Sequence, residues 1–327
     1  MVALCRERIF ILFLLLTFSS FIQLSAQTDS LTINSRNTSE AETKPVDYPS
    51  ARYKSRFLTS LPESVKETSG LLFFNGELWT INDSGNQPEM YQLDSTTGNV
   101  LRKVVVRNAV NTDWESITQD DSNVYIGDFG NNAGNRTDLR ILKIAKTDLL
   151  NPANDTIGAQ YITFIFTDQT NFMQAYHQTD FDCEAFFFYN DSLHLFSKNW
   201  FDLYTKHYVL PVDAGNYTAR LAERFNADGL ITDASINSTG NIVLLGYKKT
   251  KGRKYSCFAW LFSEYIGSEY FGGDKRRIEL GSALHLGQAE GIVLKNDNTG
   301  WISSESIILK CIHKPAKLFS FDFGSYY

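Results

Sequence analysis

The chain predicts an all-β fold, and within that class a β-propeller of five blades. Three observations lead there. From Tyr53 onward, segments rich in aromatic and β-branched residues alternate with Asn, Asp and Gly turns, without long helical periodicity. A short signature recurs as "ETSGL", "DWESI", "DCEAF", "TDASI" and "QAEGI", ending at Leu71, Ile117, Phe186, Ile236 and Ile292, which stand 46, 69, 50 and 56 residues apart. Each signature is followed by a second strand ("LWTIND", "VYIGDFG", "LHLFSK", "IVLLGY", "GWISSE") and then by a third ("EMYQLD", "LRILKI", "KHYVLP", "CFAWLF", "KLFSFDF"). Such a meander cannot bury both faces alone, and radial packing of several around a channel solves the problem. A β-sandwich would not repeat one signature at the head of five units.

Taken in chain order, the first residues read as an address. Arg6 and Arg8 precede the apolar run Ile9 to Thr17, and a small residue, Ala26, ends the stretch, the pattern of a secretory signal peptide over residues 1–26. The run is too short for a spanning helix, so a secreted or periplasmic protein is expected, with no membrane span after cleavage; an uncleaved anchor is the alternative. Residues 27–50 lack hydrophobic periodicity and read as a flexible leader, followed by the propeller domain over 51–327. The stretch "ARYKSRFLTSL" is placed to supply the outer strand of the last blade and close the ring. The 69-residue interval leaves room for a sixth blade or for an elaborated loop around Asp168 to Asp180.

The chain carries a net charge of −6; its first 26 residues hold Arg6, Arg8 and Glu7, a net +1, which leaves about −7 for the remainder. With no basic run, nucleic acid and anionic membrane are not expected partners. Cys183, Cys257 and Cys311 are odd in number and sit among apolar neighbours, which suits buried thiols; a single disulfide is the alternative. The five histidines form no metal-binding spacing, and His194 in "LHLFS" reads as a satisfied strand residue. No zinc, haem or nucleotide is expected: "GDFGNN" lacks the phosphate-loop pattern, and no nucleophile elbow occurs.

The polar residues that open each inner strand carry the functional expectation: Glu67 and Ser69, Asp113 and Glu115, Asp182 and Glu184, Asp233 and Ser235, Gln288 and Glu290. The neighbouring strand ends in Asn82 and Asp83, Asp128, Lys198 or Glu305. Antiparallel neighbours bring the start of one strand to the end of the next, so both sets are expected at one rim of the channel. Clustered carboxylates raise one another's pKa or attract a cation, and an oxygen-rich set suits a hard ion such as Ca2+. Asp113, Glu115, Glu184 and Glu290 are the candidate metal ligands; Asn82, Asp83, Asp128, Lys198 and Glu305 are the candidate ligand contacts. The plainer reading is that such acids cap turns. Arg136 and Arg140 are expected to anchor their loop against Asp128, and Trp200, Phe201 and Tyr204 are candidates to stack on a sugar.

The ordered motifs "SGLLFFNGELWTINDSGN", "DWESI…VYIGDFGNN", "CEAF…LFSK", "ITDASINSTGNIVLLGY" and "AEGI…WISSE" resemble a group of secreted bacterial propellers, similar in pattern to the SdiA-regulated and phytase-esterase-like propellers. The resemblance spans about residues 67 to 306 and implies a polar, Ca2+-binding mouth with the substrate left open. Two departures stand out: Asn131 where the pattern expects Asp, which lowers the local negative charge, and "NSTGN" in place of a Pro-Asp-Gly turn. Two functions are expected to compete. One is a monomeric binding or scaffold protein that takes a small molecule, glycan or protein at the mouth. The other is a metal-assisted hydrolase of a lactone, ester or phosphoester, with Glu115 or Glu290 as general base.

Overall fold

The computed structural model describes residues 48–250, 254–309 and 312–327. The signal segment, most of the leader, Cys5 and Cys311 lie outside the described residues.

Two strands precede the first repeat, β1 (Ser50–Arg52) and β2 (Arg56–Ser60). Blade 1 follows as β3 (Thr68–Phe74), β4 (Glu77–Asn82), β5 (Glu89–Leu93) and β6 (Val100–Val106). Blade 2 is β7 (Trp114–Gln119), β8 (Asn123–Asp128), β9 (Arg140–Ala145) and, after the two-residue β10 (Thr156–Ile157), β11 (Gln160–Phe166). Blade 3 is β12 (Cys183–Tyr189), β13 (Ser192–Ser197), β14 (Thr205–Pro211) and β15 (Gly215–Phe225). Blade 4 is β16 (Leu230–Ile236), β17 (Ile242–Thr250), β18 (Lys254–Ser263) and β19 (Asp274–Ser282). Blade 5 combines β20 (Gln288–Leu294) and β21 (Thr299–Glu305) with β24 (Lys317–Asp322), after a hairpin of β22 (Ile307–Leu309) and β23 (Ile312–Lys314).

The inner strands β3, β7, β12, β16 and β20 touch in a closed ring, and this makes the fold a five-bladed propeller. The long interval holds β10, which joins the edge of blade 1, then β11 and an irregular loop, so it contains no sixth blade. β2 pairs antiparallel with β24 and completes the last blade as expected, whereas Ala51 and Arg52, at the head of the same stretch, lie in β1, which runs parallel to β19 at the edge of blade 4. A second tie comes from β11, which pairs with β9 in its own blade and runs parallel to β15 of the next.

Local chemistry explains the inner hairpins. β3 and β4 are joined by Asn75–Gly76, and β12 and β13 by Asn190–Asp191, all four with positive φ. Two-residue turns of this kind match the twist of the strands they join, and Asn, Asp and Gly tolerate that conformation. Five apolar clusters then form, one at each junction between neighbouring blades. Trp79, Ile81, Trp114 and Ile126 lie between blades 1 and 2, for example, and Val243, Leu245, Ile292 and Ile302 between blades 4 and 5. At roughly 1.5–3 kcal/mol for each large buried side chain, these seams supply the main stabilisation.

One irregularity is common to all five blades. The register between first and second strands slips by one residue at Gly70, Glu115, Glu184, Thr232 and Glu290. Each is a β-bulge, which kinks a strand and re-aims a side chain. The bulges give the true correspondence between repeats, which corrects two reference residues: Leu72 and Ala234, rather than Leu71 and Ile236, are the equivalents of Ile117, Phe186 and Ile292. Gly70 has φ +65, and a Cβ there would lie 2.9 Å from the backbone of Ser116 and Ile117, so the first two inner strands approach closely only because this residue is glycine.

The corrected register moves Asp233 away from the rim. It stands level with Ser116, and the Ser116 hydroxyl donates to its Oδ1 across the channel at 2.5 Å while the Ile292 amide donates to its Oδ2 at 2.6 Å. Blades 2, 4 and 5 are thereby pinned together, and the channel is bridged at its waist. Lower down, the Phe188 amide donates to Thr118 and the Leu294 amide to Ser235. His194 belongs to the packing of blade 3: its ring meets His207 at 2.9 Å, and His207 meets Glu223 at 3.2 Å. Cys183 and Cys257 are buried free thiols.

Because β2 supplies the outer strand of the last blade and β1 pairs with β19 of blade 4, removing residues 48–60 should abolish the single cooperative transition expected for 48–327 in urea, with tryptophan fluorescence as the probe. An unchanged midpoint for the truncated chain would mean that the closure is dispensable.

Candidate functional site

The mouth is assembled by the bulges and by the period of two that follows them. In blades 2, 3 and 5 the bulged residue is a glutamate: Glu115, Glu184 and Glu290 are all buried at the head of the channel. In blades 1 and 4 the same position is Gly70 and Thr232. On the second strands, the residues level with one another are Asn82, Phe129, Lys198, Tyr247 and Glu305. Asp128 stands one position earlier, so strand alternation turns it to the other face. There its Oδ1 takes the Arg136 guanidinium at 3.1 Å and the Asp113 amide at 3.0 Å, while its Oδ2 takes Arg140 at 2.7 Å. The two arginines therefore hold their loop as the sequence suggested, and Asp128 has no free oxygen for a ligand.

Asp83, Asp113 and Glu115 present carboxylate oxygens that all lie within 4.8 Å of one another. Asp83 enters from the end of β4, held by the Ser84 amide, and its own amide donates to Glu67 O at 2.9 Å. Asp113 and Glu115 come from the start of β7. Gly130 lies against them, and a Cβ there would run into both carboxylates. Glu305 and Glu290 come from blade 5, and the charge of Asp83 contributes to raising both.

This crowding shifts the acids upward. Burial, then the charges of Asp83 and Asp182, push Asp113 to about 8. Burial and neighbouring carboxylates bring Asp83 to about 6, against the pull of the Ser84 amide and Lys198. Glu115 and Glu305 rise well above the ordinary range for the same reasons. Burial raises Glu290 to about 7, although Lys198 draws it down. Its Oε1 is buried without a hydrogen-bond partner, as is Asn82 Oδ1.

Lys198 is the cation of the mouth. Its Nζ lies 2.5 Å from Glu184 Oε2 and over the rings of Trp200 and Tyr247, at 5.1 and 5.4 Å. Burial opposes its charge, but Glu184, Tyr247 and Glu290 outweigh burial and hold the ammonium protonated. Glu184 thus has a counter-ion of its own. Asp182 is also engaged, accepting from Trp200 Nε1 at 2.7 Å and from the Asn131 amide at 2.7 Å. One face of Trp200 stacks on His177 at 4.0 Å, Tyr204 is covered by Arg224, and Phe201 alone of the three aromatics is largely exposed. Sequence reasoning missed Tyr247. The signal was its place directly after "LLG" within a second strand, level with Lys198 once the repeats are correctly aligned.

No family model matches the chain, and no curated protein matches it. Among solved structures, a hypothetical protein from Leishmania major is 12% identical, covers 84% of this chain and 92% of its own, and superposes with a TM-score of 0.45. An α-L-arabinofuranosidase from Podospora anserina, in complex with cellotriose, is 10% identical with a TM-score of 0.42, over 81% of this chain and 96% of its own. A putative 6-phosphogluconolactonase from Bacteroides uniformis is 12% identical with a TM-score of 0.33, over 79% and 69%. Among the described residues, no helix is long and apolar enough to cross a membrane.

Carboxyls whose pKa is raised by folding bind more protons in the folded chain than in the unfolded one, so stability falls as pH rises from the unfolded range, near 4, toward 8. In EDTA, the melting temperature should therefore drop by several degrees between about pH 5 and 8. Asp113→Asn should flatten that slope and raise the melting temperature at pH 8. A slope unchanged by the substitution would mean that Asp113 is solvated.

Proposed function

We propose that this protein is an exported β-propeller that binds a hard divalent cation, Ca2+ foremost, at the mouth of its channel and uses it to hold a small oxygen-bearing ligand. The observation that carries this reading is the trio Asp83, Asp113 and Glu115, three carboxylates from two blades with oxygens inside 4.8 Å. Three such charges stay ionised together at neutral pH only when a cation offsets them. The donor set is all oxygen, without His or Cys, which suits Ca2+ or Mg2+ rather than zinc. The loop at Gly130 leaves no side chain to compete for the space. Glu184, neutralised by Lys198, is the least available of the four acids expected as ligands. Export is supported by the basic, apolar and small-residue order of the first 26 residues. The motif order supports kinship with the SdiA-regulated and phytase-esterase-like propellers.

Metal-assisted hydrolysis of a lactone or ester is the second reading, favoured by one feature. Glu290, at about 7 and next to Lys198, is matched to proton transfer near neutral pH. The bound ion would polarise the carbonyl oxygen, and Glu290 would move the proton. Binding stands first because the carboxylate trio accounts for an ion and its ligand without calling for a proton transfer.

Thermal unfolding of residues 27–327 tests the cation site. Ca2+ at about a hundredfold its Kd should stabilise the protein by roughly 2.7 kcal/mol, a shift of several degrees. Asp113→Asn or Glu115→Gln should remove the shift while the protein stays folded in EDTA. No shift with Ca2+, Mg2+ or Mn2+ would rule the cation site out.

A further inference from the structure

The mouth is short of cations and rich in acceptors. Among the described residues, Lys198 is occupied by Glu184 at 2.5 Å, and Arg136 and Arg140 are both spent on Asp128. No basic side chain there is left to receive a phosphate or carboxylate. Two acceptor oxygens, in contrast, are buried and unpartnered: Glu290 Oε1 and Asn82 Oδ1. They belong to residues that are 6% and 3% exposed. They come from blades 5 and 1, whose inner strands touch, and Glu290 senses the charge of Asp83, the residue after Asn82.

An unpartnered buried acceptor is a standing cost to the folded chain, and a ligand that brings a donor recovers it. A carbonyl or phosphoryl oxygen brings none. A hydroxyl does both things the mouth asks for, giving a lone pair to a cation and a hydrogen to a neighbouring acceptor. Adjacent hydroxyls on one carbon frame do so twice, at the spacing of a bound ion and a carboxylate beside it. An anionic ligand meets the opposite balance: beyond the cation it finds only acids, and the one lysine is already paired.

We propose that the cation-loaded mouth takes a neutral polyhydroxyl ligand, a sugar or cyclic polyol, whose hydroxyls ligate the ion and donate to Glu290 Oε1 and Asn82 Oδ1, and that it excludes phosphate and phosphoesters. This rests on the cation reading above. It chooses within that reading by the direction of the hydrogen bonds, which demand donors from the ligand.

The test is isothermal titration calorimetry on the Ca2+-loaded protein with myo-inositol, L-arabinose, inorganic phosphate, glycerol phosphate and putrescine. Saturable binding of a neutral polyol is expected. Glu290→Ala should weaken it at least tenfold, whereas Glu290→Gln, which keeps an acceptor oxygen, should retain it within a few fold. Circular dichroism and the Ca2+ titration of each variant show that the fold and the ion site survive. Binding of phosphate or glycerol phosphate in preference to the polyols would overturn the proposal. So would preference for the diamine, which would make the mouth a cationic-ligand site, or polyol binding indifferent to Glu290→Ala. The Ca2+ titration of the protein alone is read separately, so a failed ion site is not mistaken for a wrong ligand class.

Discussion

The repulsion among carboxylates crowded at one end of the channel is the constraint that the rest of this structure has to withstand. Five inner strands converge there, three of them with a bulged glutamate and two with an aspartate two residues earlier. The convergence is forced by the radial arrangement. A residue that would be a harmless turn cap at the head of an isolated hairpin becomes one member of a ring once five hairpins share an axis. Electrostatic cost then rises with every blade that contributes an acid. The chain offsets part of it with Lys198, part with the amides of Ser84 and Asn131, and part by raising the acids toward their neutral forms.

That cost is tolerable because the ring below is secured independently. Asp233 joins three blades at the waist, β2 closes the circle, and β11 ties two blades together at their outer edges. Apolar seams at all five junctions hold the blades against one another. Strain at the mouth is therefore carried by a frame that does not rely on the mouth. This division is common where a site stores unfavourable charge and its surroundings over-determine the geometry.

How much of this could be read in advance differs by element. The first three strands of each blade were legible because they alternate or run apolar between Asn, Asp and Gly turns. The outer strands were not: β15 and β6 are half exposed, so their polar composition hides the period of two. Pairing with a neighbour across the blade, not the pattern within the segment, makes them strands. The site shows the same split. Glu115, Glu184 and Glu290 were visible because "WES", "CEA" and "AEG" repeat a motif. Tyr247 and the true place of Asp233 were hidden because blades 1 and 4 carry their bulge at Gly70 and Thr232, residues that do not announce it.

By itself, then, the sequence determined the class of fold, five visible repeats with room for a sixth, the inner strands and the kind of chemistry at their heads. These depend on local periodicity, turn residues and composition, which need no partner to be expressed. Only the tertiary structure decided which acids meet. A shift of one residue in register sends Asp128 to two arginines and Lys198 to the mouth, and a bulge that no local pattern marks sets that register. The physical reason is the period of two in a strand: side-chain facing is an all-or-none property of alignment, and alignment is settled between strands rather than within them.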